Sequence, residues 1–239
     1  MSKFVIKSAF TICLLALLVF VPVAGASINK SVKIEAGSES DGASSVNGSV
    51  TVGDGATVTG SVSTVNGKVR VGDDAKIGDA STVNGALTLG TNVTAGGLET
   101  VNGSISVGEG AEIDGEVSAV NGGITLEQGS TVASHVGNVN GSIELEGAEV
   151  RGNVTTTNGG VHLSDKSVVK GDILIEKPSF WSFGDSKKPR IIIGPGSVVE
   201  GNIVLEREVD LYISETAEVG GVKGEMSMDD AIRFSGDSP

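Results

Sequence analysis

Apolar and polar residues alternate in short segments that recur at a nearly constant spacing through most of the chain. An aliphatic-x-aliphatic pair opens each repeat, and neighbouring pairs are 18 to 20 residues apart, except for one spacing of 30 between Val161 and Ile191. The ten pairs are Val32/Ile34, Val50/Val52, Val69/Val71, Leu87/Leu89, Ile105/Val107, Ile124/Leu126, Ile143/Leu145, Val161/Leu163, Ile191/Ile193 and Leu211/Ile213. Alternation with a period of two places the apolar side chains on one face of a β-strand.

Two further columns follow each pair, so that one repeat contains three short segments. The second column includes Ala56/Val58, Ala75/Ile77 and Ala111/Ile113, and the third includes Val62, Leu98 and Val117. Gly and Asn lie between the segments, where the chain has to turn. The pattern predicts an all-β fold, a single parallel β-solenoid with three short strands per coil of 18–19 residues and about ten rungs. At roughly 4.8 Å per rung, the rod would be about 45–50 Å long.

The hand of the solenoid is suggested by the coil length. Segments such as VGDGATV, VGEGAEI and IGPGSVV resemble the hexapeptide repeats of left-handed β-helices. Those repeats keep multiples of six residues, whereas this chain mixes spacings of 18, 19 and 20. We therefore expect a right-handed solenoid.

An Asn-Gly step returns once in each of seven consecutive coils, at Asn47, Asn66, Asn84, Asn102, Asn121, Asn140 and Asn158. Stacked Asn side chains can hydrogen-bond to their neighbours above and below, so the series predicts a structural Asn ladder. With Val65, Val83, Val101 and Val120 directed inward, the column before them is expected to point outward. That column is Ser45, Thr64, Thr82, Thr100, Ala119, Asn138 and Thr156, and a flat outward Thr/Asn array would suit ordered water, a polysaccharide or ice.

The two ends of the chain depart from the repeat. Lys3 and Lys7, an apolar run and Ala24-Gly25-Ala26 are typical of a secretory signal peptide over residues 1–26, which would remove the only cysteine, Cys13. The solenoid domain is then expected over residues 27–223, in a mature chain without a transmembrane span. Residues 224–239 are expected to form a C-terminal cap and tail, with Met226, Met228, Ile232 and Phe234 covering the open edge. The predicted location is the periplasm or the outside of the cell envelope.

The net charge of the chain limits the classes of partner that it can bind. The chain has 17 basic and 30 acidic residues, and loss of Lys3 and Lys7 leaves a net charge of −15. Such a surface repels nucleic acid and anionic membranes. Acidic residues could bind Ca²⁺ weakly, but the calcium β-roll signature G-G-x-G-x-D is absent. We expect no cofactor and no metal site.

The long spacing holds an insertion at residues 177–190 with the sequence KPSFWSFGDSKKPR. Three aromatic residues, Phe180, Trp181 and Phe183, lie there beside Lys187, Lys188 and Arg190. An aromatic cluster with basic flanks suits contact with a partner protein, with a sugar or other envelope polymer, or with a membrane interface. Alternatively, the rings could fold back over the side of the rod and cover apolar surface.

The short units GATVTGSV, GAEIDGEV, GAEVRGNV, KSVVKGDI and GSVVEGNI make the chain resemble the bactofilin-like, polymer-forming repeat proteins. The resemblance implies a right-handed β-helix that assembles end to end into filaments without a nucleotide. Two features depart from that family, the signal peptide and the regular Val-Asn-Gly series, so the chain resembles an exported relative.

The sequence of the repeat contains no recognisable set of catalytic residues. His135 and His162 stand alone, with neither a Ser nor a Cys partner evident in the pattern and no zinc-type spacing. β-Helical polysaccharide lyases have longer coils, whose loops build a cleft, and the short coils of this chain do not match them. Left-handed hexapeptide acyltransferases use cytoplasmic acyl donors, and export of this chain argues against that activity. The sequence therefore predicts a non-catalytic, exported structural or polymer-forming protein. The alternative is a binding module that uses the aromatic and basic insertion.

Overall fold

The computed structural model of the chain describes residues 26–178 and 188–239, and these form a parallel β-solenoid of about ten turns. Each coil contributes one strand to each of three faces, which we call the first, second and third face in chain order. The strands pair in parallel with the strand one coil away, as Leu87 does with Ile105 and Val69. The register shifts between Val199 and Asn202, where Val198–Leu205 pairs with Glu218–Gly224. The predicted fold class, with three strands per coil of about 19 residues, is confirmed.

The first face consists of the strands that lead to the Asn-Gly steps. Its strands are Ala26–Ser27, Ala43–Ser45, Val62–Asn66, Ala80–Asn84, Leu98–Asn102, Val117–Asn121, Val136–Asn140, Val154–Thr156, Ile173–Ile175 and the later parts of Val198–Leu205 and Glu218–Gly224.

The second face follows the Asn-Gly corner and is an eleven-stranded parallel sheet. Its strands are Val32–Ile34, Val50–Val52, Val69–Val71, Leu87–Leu89, Ile105–Val107, Ile124–Leu126, Ile143–Glu146, Val161–Ser164, Arg190–Ile193, Asp210–Ser214 and Ile232–Phe234.

The third face is built from the shortest strands. They are Glu39–Ser40, Thr57–Val58, Lys76–Ile77, Thr94–Ala95, Glu112–Ile113, Thr131–Val132, Glu149–Val150, Val168–Val169 and the first residues of Val198–Leu205 and Glu218–Gly224.

The core is a continuous aliphatic column inside the three faces. The inward residues of the second face, such as Leu87, Ile105 and Ile124, are fully buried, as are Val62 and Val117 of the first face. Burial of such a side chain contributes about 1.5–3 kcal/mol to folding. Because each coil covers the core of the next, the burial accumulates along the rod.

The Asn-Gly corners bring the backbones of successive coils unusually close. A Cβ atom built on Gly103 would overlap the carbonyl oxygen of Gly85, and one on Gly122 would overlap that of Gly103. Neither glycine has a positive φ. At these two positions glycine is therefore required for close backbone approach, and the turn conformation itself does not demand it. Gly141, at the same corner, also has a φ of +126°.

The residues after Gly224 lie across the C-terminal end of the rod. A 3-10 helix, Met228–Asp230, is followed by the strand Ile232–Phe234, which pairs with Asp210–Ser214 and extends the second face. Phe234 is buried, and Met226 and Met228 pack against the core. Ile232, predicted to help cover this edge, is instead 53% exposed.

Candidate functional site

The Asn residues of the seven Asn-Gly steps lie in one unbroken column along the corner between the first and second faces. The Nδ2 of each donates to the Oδ1 of the Asn in the preceding coil, over distances of 2.8–3.0 Å. All the amides consequently point the same way along the rod. Seven hydrogen bonds between exposed side chains stiffen the corner without exposing an unpaired amide on each coil.

Two members of this column were missed from the sequence. Asn29 accepts a hydrogen bond from Asn47 at 3.0 Å and begins the ladder, although no glycine follows it. At the other end, Arg207 Nη1 is 3.5 Å from both Asn158 Oδ1 and the Thr157 carbonyl oxygen. The spacing of 18 residues before Asn47 could have revealed Asn29. Arg207 is two coils beyond Asn158, across the long coil, and carries no repeat signal.

The predicted orientation of the first-face strands is wrong. Thr64, Thr82 and Thr100 are buried, with exposures of 4% or less, whereas Val65, Val83 and Val101 lie on the outer side and are partly exposed. Ser45, Ala119, Asn138 and Thr156 are buried in the same inward column. An outward Thr/Asn array for ice or polysaccharide is thereby excluded.

The inward threonines form hydrogen bonds to the backbone at the corner between the first and second faces. The hydroxyl groups of Thr64, Thr82 and Thr100 donate to the carbonyl oxygens of Gly48, Gly67 and Gly85 in the preceding coil, at 2.7–3.1 Å. A buried carbonyl without a donor is costly, and a valine in this position could not supply one. Because the strand begins with an inward residue such as Val62, alternation brings Thr64 inward and turns Val65 outward.

Acceptor side chains also line the corner between the third and first faces. His135 Nδ1 accepts from the backbone N–H of Asn153 at 2.8 Å, and Asn153 Oδ1 accepts from that of Asp172 at 2.9 Å. Asp172 Oδ1 in turn accepts from the backbone N–H of Asn202 at 2.8 Å. His135 is thus engaged with the backbone of the next coil, and Glu116, whose pKa is raised by burial and lowered to a smaller degree by His135, precedes it in this column.

The insertion is attached to the rod by contacts on both sides of its base. The backbone N–H of Lys177 donates to Glu206 Oε2 at 3.2 Å, and Lys188 Nζ pairs with Glu208 Oε2 at 2.8 Å. The guanidinium of Arg190 lies 5.3 Å from the centre of the Tyr212 ring. Lys188 and Arg190 therefore both contact the rod, whereas the other candidate residues, Phe180, Trp181, Phe183 and Lys187, lie outside the described residues.

A nearly buried carboxyl group lies beside this base. Glu176 is 8% exposed, follows the buried Thr157 in its column and precedes Glu206. Burial, reinforced by the nearby charge of Glu206, raises the pKa of Glu176 to about 7. The group can therefore change its charge near neutral pH.

An acidic groove of about 330 Å³ lies at the corner between the second and third faces. It is lined by Gln128 and four carboxylates, Glu109, Glu127, Glu146 and Asp165. The concentration of negative charge makes this edge unfavourable for anions. In the described part of the chain, no group of three or more His, Cys, Asp or Glu side chains is arranged to hold a metal ion.

Neither a membrane-spanning helix among the described residues nor similarity to a known protein indicates the function of the chain. No helix within residues 26–178 and 188–239 is long and apolar enough to cross a membrane. Comparison of the chain with protein-family models, with curated proteins and with solved structures finds no match in any of the three. On its own geometry, the chain is a parallel β-solenoid repeat protein.

Proposed function

We propose that this chain is a non-catalytic, exported structural protein of the bacterial cell envelope, a stiff rod that associates with copies of itself in the manner of the bactofilin-like proteins. The observation that carries the proposal is the continuity of the coils. Three parallel ladders of backbone hydrogen bonds and the Asn ladder run along the rod, so the repeat builds length and stiffness.

The two ends of the rod differ in their capacity to associate. At the N-terminal end, Val32–Ile34 and Glu39–Ser40 each pair with only one described neighbour, and Ile28 beside them is 65% exposed. Strands with one unpaired edge favour further pairing. At the C-terminal end, Glu218–Gly224 and Ile232–Phe234 also pair with only one described neighbour each, but the segment 226–234 lies over the last coils, with Phe234 buried and Met226 and Met228 packed against the core. We therefore expect contact between copies at the N-terminal end.

Electron microscopy and small-angle scattering of the exported protein test this proposal. The full chain is expressed and the protein is recovered after export, over a series of concentrations. End contact would double the particle length from about 50 Å to about 100 Å without changing the cross-section. Ile28→Asp should suppress the long particles because it places a charge at the contact.

Ile232→Asp is the matched control, since Ile232 is an exposed isoleucine near the opposite end. It should leave the long particles unchanged. Particles that keep a length of about 50 Å at every concentration, in the wild type as in the variants, would contradict association through the end.

The second candidate function is a binding module that uses the insertion at residues 177–190. Its support is the attachment of the base, where the contacts of Lys177, Lys188 and Arg190 hold both ends of the insertion against the rod. Anchored ends reduce the freedom that a loop loses when it binds a partner.

Replacement of Phe180, Trp181 and Phe183 together by alanine tests this function. We expect the triple variant to lose retention on isolated envelope polymer or capture of an envelope protein, while its circular dichroism spectrum and melting temperature stay those of the wild type. Lys177→Ala is the comparison variant, because it alters the charge at the base but keeps the aromatic residues. Equal retention of the triple variant and the wild type would exclude the insertion as the binding element.

A further inference from the structure

The outer side of the first face carries a repeated row of three residues. In six consecutive coils the outward positions are a small or polar residue, a valine and the ladder Asn, as in Ser81, Val83 and Asn84. The valines form a column of partly exposed side chains, Val46, Val65, Val83, Val101, Val120 and Val139. They stand beside the exposed Asn ladder, so this side presents a straight apolar stripe with a polar border.

Charge is nearly absent from this side. In the six rows from Ser44 to Asn140, Glu99 is the one charged residue among the outward positions, and in the next row Thr155 and Thr157 are buried. The outward positions of the other two faces include many charges, among them Lys33, Arg70 and Glu144 on the second face and Lys76, Glu112 and Glu149 on the third. A face with a single charge over this length can approach a copy of itself with little local repulsion, although the chain has a net charge of −13.

We propose that the outer side of the first face binds a second copy of the rod side by side, through the valine stripe. The contact is separate from the end contact of the proposed function, and either can exist without the other. Two rods of the same net charge repel each other when charged faces approach, and the first face is where this repulsion is smallest.

The geometry of the stripe also suits an identical partner. The valines repeat at the coil spacing of about 4.8 Å, so the stripes of two copies match in period and can interdigitate along their whole length. A two-fold arrangement would place the same surface on both rods, which is the commonest way to form a dimer.

The size of the contact indicates its strength. Six rows of about 4.8 Å and a strand width of roughly 15 Å give about 430 Å² per rod, or about 860 Å² in total. Stable interfaces usually bury about 1,200–2,000 Å², so the side-by-side pair should be weak and reversible. Salt should strengthen it, because screening reduces the long-range repulsion between the rods.

Two charges placed on the stripe test this contact. Val83→Lys combined with Val120→Lys introduces like charges into the apposed faces and should raise the dissociation constant at least about tenfold. The matched control is Thr88→Lys combined with Thr125→Lys, which adds the same charges to outward positions of the second face. The control should pair at least as well as the wild type, because its net negative charge is lower.

The measurement is sedimentation velocity together with small-angle scattering of the exported protein, up to about 1 mM and at two salt concentrations. A doubled cross-section at constant length in the wild type and the control, lost in the valine variant, is the expected result. Circular dichroism checks each variant's fold, and Val83→Ser with Val120→Ser replaces the lysine variant if that one fails to fold. A wild-type cross-section that stays that of one rod, or a pair that survives the stripe variants, would overturn the side-by-side contact. Particles that only double in length would support the end contact alone.

Discussion

Replacement of Gly103 by alanine should destabilise the rod severely. The added Cβ would overlap the Gly85 carbonyl oxygen, which belongs to the backbone of the preceding coil and cannot turn away. Relief requires the two coils to separate at the corner, which would lengthen the hydrogen bond between Thr100 Oγ1 and Gly85 O and strain the Asn ladder. We expect a loss of about 4 kcal/mol or more in the free energy of unfolding.

Urea unfolding followed by circular dichroism measures this loss. Gly55→Ala is the control, because Gly55 also lies in a turn but a Cβ there has no heavy atom within 4 Å. Gly55 has a φ of +65°, so alanine should cost only about 1–2 kcal/mol through its backbone conformation. Equal effects of the two substitutions would show that close approach is not the reason for glycine at the Asn-Gly corner.

Glu176 should make the stability of the rod depend on pH. Burial and the charge of Glu206 raise the pKa of Glu176 from 4.5 to about 7. Between these values the folded protein binds a proton at this residue that the unfolded chain does not, so the free energy of unfolding falls as the pH rises and levels off above about 7. We expect a fall of about 2 kcal/mol, with allowance for partial screening by solvent.

Urea titrations at pH 5, 6, 7 and 8 (roughly the range in which the group changes its charge) follow this effect. Glu176→Gln should be more stable than the wild type at the alkaline end and should lose most of the slope. Glu112→Gln, at an exposed position of the third face, should keep the wild-type slope. A slope in Glu176→Gln as steep as that of the wild type would assign the pH dependence to other groups.

Much of the architecture follows from local alternation. Residues such as Leu87 and Leu89 alternate with a polar residue in most coils, and the period near 19 repeats that segment often enough to exclude chance. Stacked coils are the arrangement that buries all of these positions at once. The register of ten of the eleven strands of the second face could therefore be assigned from the sequence, including the step from Val161 to Ile191 across the insertion. The eleventh, Ile232–Phe234, lies in the segment predicted to be a cap and tail.

The outer side of the first face could not be assigned in the same way, because two rules conflict there. Hydrophobicity favours an inward Val83, whereas alternation from the inward Ala80 favours an inward Thr82. Alternation prevails because the inward position next to the corner faces a backbone carbonyl, and a hydroxyl group satisfies it. That carbonyl belongs to another coil, so the deciding contact is not visible in the local sequence.

One end of the Asn ladder was beyond sequence reasoning, because Arg207 reaches Asn158 across an intervening coil and has no repeat signal. Asn29, at the other end, lacks the following glycine but could have been found from its spacing of 18 residues before Asn47. Similarly, the raised pKa of Glu176 depends on neighbours contributed by coils 19 and 30 residues away, which no motif records.

The uniform direction of the Asn amides gives the rod an adjustable length. Each coil offers the same donor to the coil before it and the same acceptor to the coil after it, so one whole unit can be gained or lost at little cost. Deletion of residues 84–101 would join Val83 to Asn102 and bring Asn102 next to Asn66, with all three faces still in register. Insertion or deletion of whole coils could therefore change the length of the rod in steps of one coil during evolution, while the corners and the C-terminal cap stay unchanged.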